Sequence, residues 1–204
     1  MLRPSIEAMV ETMEAKGYRV YDTPQVDWNL NIVGIRSAAT TAGAFDDTLA
    51  VFQRFGGSWE ISYYDVTTDP GRFYLEQPVN ALGAAILKEG QYRGAYELGL
   101  HARGRRSAHL ALCQRLAPVT VYRDADRDHR LDLDRLQTET GMFGINIHRG
   151  NGSYADPQNV AYSAGCQVFA DPRKFAEFVA KCREGARVFG NKFTYTLLHE
   201  RDFG

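Results

Sequence analysis

The stretch from His148 to Val168, HRGNGSYADPQNVAYSAGCQV, ends a hydrophobic run on a histidine and then reaches a cysteine behind Ser163-Ala164-Gly165. These residue types can do thiol chemistry. A cysteine attacks carbonyl carbon as its thiolate, and an imidazole that takes the thiol proton and stays beside it as a cation makes that thiolate available near neutral pH. His148 at the end of one strand and Cys166 at the start of the next meet if the loop between them folds back and the two strands lie side by side. Gly165 lets backbone approach a substrate carbonyl, the N–H groups of Gly165 and Cys166 are candidate oxyanion donors, and Ser163 is a candidate partner for the thiolate or for the loop. A buried structural thiol is the competing reading, because cysteine is among the most often buried residue types.

The span His148-Arg149-Gly150 followed by Ser163-Ala164-Gly165-Cys166 resembles the signature of the L,D-transpeptidase (YkuD-like) family, a histidine, a loop, then Ser-His-Gly-Cys. The separation of 18 residues falls within that family's usual range. The resemblance implies that His148 is the base, Cys166 the acyl-enzyme nucleophile, and Gly165 and Ser163 the motif glycine and serine. It also implies a mainly β catalytic domain with flanking helices (α+β), a β-sandwich with an N-terminal and a C-terminal helix, acting on peptidoglycan stem peptides. Two positions depart from the pattern. Ala164 stands where the family has histidine, and Val168 where it usually has the arginine that helps hold the substrate peptide. Arg149 is a candidate replacement for that grip, and Tyr154 and Tyr162, inside the loop between the catalytic candidates, are candidates for lining the cleft. The altered motif favours hydrolysis of the thioester by water, as in a phage endolysin-type enzyme, with crosslink formation by an amine as the alternative outcome.

Other clusters carry weaker signals. Asp124, Asp126 and Asp128 alternate like the first ligands of a calcium loop, but the sixth position is His129 rather than glycine and the twelfth is Arg135 rather than glutamate. A solvated charged loop is the plainer reading; a non-catalytic calcium-binding or structural module is the function it would support. His101, His109, His148, Cys113 and Cys166 lack the short histidine spacings of a zinc hydrolase, so neither metal nor other cofactor is expected. His101 and His109 flank HARGRRSAH, a basic loop that could steer an acidic peptide.

The elements that must position these residues follow from periodicity. Ser5 is an N-cap for a helix carrying Ile6, Met9, Val10 and Met13 on one face and stopped by Gly17. From Tyr18 onward the texture is β-rich: YRVY, LNIVGIR, TLAVFQRF and SWEISYYDVTT, punctuated by FGGS and DPGRF. PVNALGAAILKEG admits a helix over 81–88, Tyr92 to Leu100 a strand, and VTVYRD and MFGINIH two more. Ser107 to Arg115 is ambiguous. Pro172 to Val188 is a helix with Asp171 as N-cap and Pro172 in its first turn, and it buries Cys182.

With 204 residues and 44% hydrophobic content the chain suits one domain, 1–204, and no repeat or linker divides it. Lysine and arginine total 24 against 25 aspartates and glutamates, so no global field favours nucleic acid or an anionic membrane. The N-terminus has no signal-peptide pattern and no run is apolar enough for a membrane helix, so synthesis in the cytoplasm is expected, with action on the cell wall after release. Three cysteines without CxxC spacing indicate free thiols.

Overall fold

The computed structural model describes residues 1–40, 42–131, 133, 137–150 and 163–204. The architecture is α+β and mainly β. Its elements run α1 (Ile6–Ala15), β1 (Asn31–Arg36), β2 (Asp47–Phe55), β3 (Ser58–Thr67), α2 (Arg72–Glu76), β4 (Ala84–Leu87), β5 (Gly90–His101), β6 (His109–Gln114), β7 (Val119–Asp124), β8 (Gln137–Gly141), β9 (Ile147–Arg149), β10 (Gln167–Phe169), α3 (Pro172–Phe189) and β11 (Phe193–His199). Eight strands close into a barrel in the order β1-β11-β5-β6-β9-β10-β3-β2, and β4-β7-β8 form a separate three-stranded sheet. Most neighbours are antiparallel. The parallel pairs are β1 with β11, which brings the first and last strands together, and β9 with β10, which carry the candidate site.

Local chemistry explains both long helices. The Ser5 hydroxyl accepts the Ala8 N–H at 3.3 Å to start α1, and Gly17 takes φ +71° just beyond it. The Asp171 carboxylate accepts the Arg173 N–H at 2.8 Å to start α3, with Pro172 supplying a preset φ and no orphan donor. Each helix then covers one apolar layer. Met9 and Met13 of α1 pack on Val33, Ile35, Ala50, Phe52 and Leu198. Phe175, Phe178, Val179 and Cys182 of α3 join the larger core with Ile32, Leu49, Tyr64, Phe169 and Tyr195. Because β1 supplies both layers, all six of its residues are buried, and a fully buried side chain such as Phe178 contributes roughly 1.5–3 kcal/mol of transfer free energy.

Tertiary context overrides the sequence expectation in several segments. Residues 84–87 are a strand, not part of a helix over 81–88: Ile86 and Leu87 are buried and pair with Tyr122 and Val121. Tyr18 to Tyr21 is not a strand, because the Asn31 side chain, rather than a neighbouring strand, bonds both the N–H and the carbonyl of Tyr21. MFGINIH is extended only at its end. The Gln114 side-chain oxygen accepts the N–H groups of Phe143 and Gly144, and Gly144 takes φ +70°, so the chain bends before β9 begins. FGGS is the β2–β3 turn, with Gly56 and Gly57 both at positive φ, while DPGRF runs on into α2.

A buried ionic cluster lies beside the barrel wall. Arg36, 1% exposed, contacts Asp69 at 2.9 Å and Glu89 at 2.7 Å, and it donates to the Thr68 and Leu87 carbonyls. Asp47 accepts from the Thr68 N–H and hydroxyl and from the Ser37 N–H. One guanidinium faces three carboxylates, so burial pushes Asp69 up to about 7 and Asp47 upward as well, while Arg36 and the Tyr122 hydroxyl help hold Glu89 down.

Candidate active site

Register brings the histidines and the cysteine onto one face. Leu112 of β6 pairs with Ile147 of β9, and Ile147 pairs with Gln167 of β10. Side chains alternate along a strand. His109, Cys113, Asn146, His148 and Cys166 are each an odd number of residues from a member of that row, so they share the opposite face. His101 pairs directly with His109 across the β5–β6 hairpin and joins them, which makes the basic loop between them a hairpin connection. Val168 sits opposite His148 on β10.

Cys166 is half-buried. Among the described residues its Sγ has two hydrogen-bond partners: it accepts the Asn146 N–H at 3.4 Å and donates to the Gly144 carbonyl at 3.5 Å. His148 is not one of them. The residues just before Cys166 form a turn held by Ser163. Ser163 Oγ donates to the Cys166 carbonyl at 2.9 Å and accepts the Gly165 N–H at 3.3 Å, and the Ser163 carbonyl accepts the Gly71 N–H at 2.7 Å. The Ser163 hydroxyl therefore serves the loop rather than the sulfur, and the Gly165 N–H already has a partner. Glycine is required at 165 for steric reasons: φ is +122°, and a Cβ there would lie 2.2 Å from the Ala85 carbonyl oxygen.

The three imidazoles form a cluster. His101 and His148 stack with centroids 4.1 Å apart and planes within 14° of parallel, while His109 lies 5.3 Å from His101 and 6.1 Å from His148 in tilted contact. Ala111, buried on the same face, offers only a methyl group between the strands that carry His101 and His148, which lets their rings meet.

Tautomers follow from the partners, since a carbonyl oxygen only accepts. His148 Nδ1 lies 2.8 Å from the Arg149 carbonyl and therefore carries the proton, leaving the lone pair on Nε2. His109 is held the same way by the Ser107 carbonyl at 2.8 Å. Asn146 Oδ1 accepts the Gln114 N–H at 2.9 Å, which turns its Nδ2 toward His101 Nδ1 at 3.1 Å. His101 thus has its lone pair on Nδ1 and its proton on Nε2.

Electrostatics set a neutral resting state. Burial lowers His148 to about 3, with His101 adding to the effect, and burial lowers His101 to about 4, with His109, Arg115 and Arg105 adding to it. Burial raises the Cys166 thiol to about 11, partly offset by the Asn146 N–H. The thiolate–imidazolium pair expected from the residue types is therefore not the resting form. Separating charge in a desolvated site crowded by neighbouring imidazoles and arginines costs more than the pair returns.

Arg149 follows His148 on β9, is half-buried and donates to the Gly150 carbonyl at 3.2 Å. Tyr154 and Tyr162 lie outside the described residues, as do Asp132 and Asp134 of the acidic run. Asp124 closes β7, almost fully buried, and burial together with Asp126 raises it to about 7. Among the described residues no group of three or more histidine, cysteine, aspartate or glutamate side chains is placed to hold a metal ion. For His101 and His148 the reason is visible: stacked, near-parallel rings send their in-plane lone pairs along separate planes rather than toward one ion. None of the helices among the described residues is long and apolar enough to cross a membrane.

Residue types alone single out Cys166 and His148 as candidates and leave a backbone carbonyl or Asn146 to orient His148; the Arg149 carbonyl takes that place, Asn146 bonds His101 instead, and the stacking of His101 on His148 was not legible. The signal for His101 was its symmetric position with His109 around a hairpin turn. No protein-family model matches the chain, and no curated protein or solved structure matches it.

Proposed function

We propose that the protein is a cysteine-dependent acyl-transfer enzyme acting on peptidoglycan stem peptides, a hydrolase of the endopeptidase or carboxypeptidase type. One observation carries the reading: Cys166 immediately precedes β10, which runs parallel beside the β9 that holds His148, and the Arg149 carbonyl orients His148 so that its Nε2 holds the lone pair. The resemblance of the His148 to Cys166 span to L,D-transpeptidases supplies the substrate class. It also carries that family's sandwich-like catalytic domain, of which the barrel and the three-stranded sheet would be a divergent form.

The chemistry starts from neutral partners. As Cys166 Sγ adds to the carbonyl carbon of a stem-peptide bond, its proton passes to His148 Nε2, directly on closure of the site or through one water. The oxyanion is assigned to the Cys166 N–H. His148 then returns the proton to the leaving amine, leaving a thioester on Cys166, and water cleaves that thioester with His148 again as base. Arg149, beside the base, is assigned the grip on the peptide that Val168 cannot provide. Tyr154 and Tyr162 remain assigned to the cleft. No metal or cofactor takes part, so chelators leave the activity intact.

Transpeptidation is the second reading, and it differs only in the group that attacks the thioester. Incubating wild type and Cys166→Ala with purified muropeptide monomers and dimers, followed by mass spectrometry, tests both. Loss of a crosslink or a terminal residue in wild type alone supports the hydrolase. A product heavier by one peptide or amino acid supports the transpeptidase. Identical spectra for the two proteins would overturn the assignment of Cys166.

A further inference from the structure

We propose that His101 is a positioning residue of the Cys166 site: its ring braces the His148 imidazole from one face and is itself held by Asn146. This rests on the assignment of Cys166 and His148 given above.

Asn146 joins the two halves of the site. Its main-chain N–H donates to Cys166 Sγ at 3.4 Å, and its side-chain amide bonds His101 Nδ1 at 3.1 Å. The Gln114 N–H fixes the amide's orientation by donating to Oδ1 at 2.9 Å. His101 then lies flat against His148, 4.1 Å between centroids and 14° between planes. A single Nδ1–Arg149 hydrogen bond leaves an imidazole free to rock about that bond; a second ring on its face removes the motion and fixes the direction of the Nε2 lone pair.

The brace also keeps the base neutral. His101 excludes water from one face of His148, and a cation on either ring is opposed by the other. The charged and titratable groups facing this pair, His109 on β6, Arg115 just beyond β6, Arg105 in the β5–β6 hairpin and the Arg149 guanidinium on β9, all lower its pKa, and only the hydrogen bond to the Arg149 carbonyl opposes them at His148. The result is an imidazole that is an unprotonated acceptor throughout the neutral range.

Three variants separate this role from simple packing. His101→Phe keeps a flat ring but loses the bond to Asn146; His101→Ala loses both; Asn146→Ala keeps the main-chain N–H on Cys166 but frees His101. Two-dimensional nitrogen–proton NMR of the histidine side chains reads the tautomer and titration of His148 without any substrate. We expect the wild type and His101→Phe to keep the Nδ1–H tautomer unprotonated to below pH 5, His101→Ala to shift its titration upward by at least one pH unit as water enters, and Asn146→Ala to fall between them. In muropeptide turnover, kcat should fall about tenfold in His101→Ala with KM changed less than twofold, and His101→Phe should stay within about threefold of wild type. A His148 titration unchanged in both His101→Ala and Asn146→Ala would overturn the proposal. Should Cys166→Ala retain full turnover, the peptidase reading fails, whereas the NMR shifts still decide whether His101 braces His148.

Discussion

The Tyr195 hydroxyl on β11 donates to Gln167 Oε1 at 2.9 Å, so the strand directly across the barrel from β10, four positions away in either direction, holds the residue that follows Cys166. Gln167 Nε2 in turn donates to the Thr68 carbonyl at 3.3 Å and the Gly165 carbonyl at 3.4 Å. Tyr195→Phe should leave a buried amide oxygen without its donor and cost about 1–3 kcal/mol. Urea unfolding of the variant checks this, and an unchanged midpoint would show that the bond contributes nothing.

Gly34 and Tyr195 share one space: a Cβ on Gly34 would fall 1.9 Å from Tyr195 Oη, 2.9 Å from Cζ and 3.0 Å from Leu197 Cδ1. Gly34→Ala should therefore destabilise by about 1–3 kcal/mol or more. Placed in the Tyr195→Phe background it should cost less, because the closest clash is gone, though not zero, because Cζ remains. A double-mutant cycle should return a coupling of at least about 0.5 kcal/mol; strict additivity would contradict the geometry.

Burial raises the Cys166 thiol to about 11, so the thiolate fraction is small at neutral pH. Alkylation of Cys166 by iodoacetamide should be slow at pH 7 and rise about tenfold per pH unit toward alkaline conditions. Cys113 and Cys182, raised by burial too and without exposure, should react more slowly still. On the acid side His148, lowered to about 3, remains a free base, so turnover should show no inflection near pH 6.5. An alkylation rate that reaches its plateau below pH 8 would indicate a preformed thiolate instead.

Asp69 is held at about 7 by burial, against an ordinary value of 3.8. Its protonated form favours the fold: the unfolded chain ionises it above pH 3.8 and the folded chain only near 7, so this stabilisation is full below about pH 4 and is lost as pH rises to 7. Asp69→Asn, neutral at every pH, should gain melting temperature relative to wild type across that interval. A difference that does not change with pH would refute the linkage.

Arg36→Met should be far more damaging, at about 3–5 kcal/mol, because it leaves Asp47, Asp69 and Glu89 without their cation. Chemical denaturation with Asp69→Asn and Arg36→Met combined offers the control: the double variant should recover part of the loss by removing one of the stranded charges.

The features that the sequence determined by itself are those whose causes lie within a few residues. Ser5 and Asp171 cap α1 and α3 where they were expected to, since a side-chain oxygen two or three positions from an orphan N–H needs no distant partner. Gly56 and Gly57 turn β2 into β3 through an equally local cause, and Cys166 and His148 stood out as candidates by residue type alone. Tertiary structure decided everything that depends on pairing between distant segments. Residues 84–87 became a strand because β7 offered a hydrogen-bonding edge, and Tyr18 to Tyr21 did not because Asn31 took its polar groups. The closure of β1 onto β11, the row that aligns Cys113, Asn146 and Cys166, and the stacking of His101 on His148 are registers between segments up to 163 residues apart. No local spacing encodes such a register. The protonation of the site belongs there too, because the neutrality of His148 and Cys166 arises from the burial that those registers create.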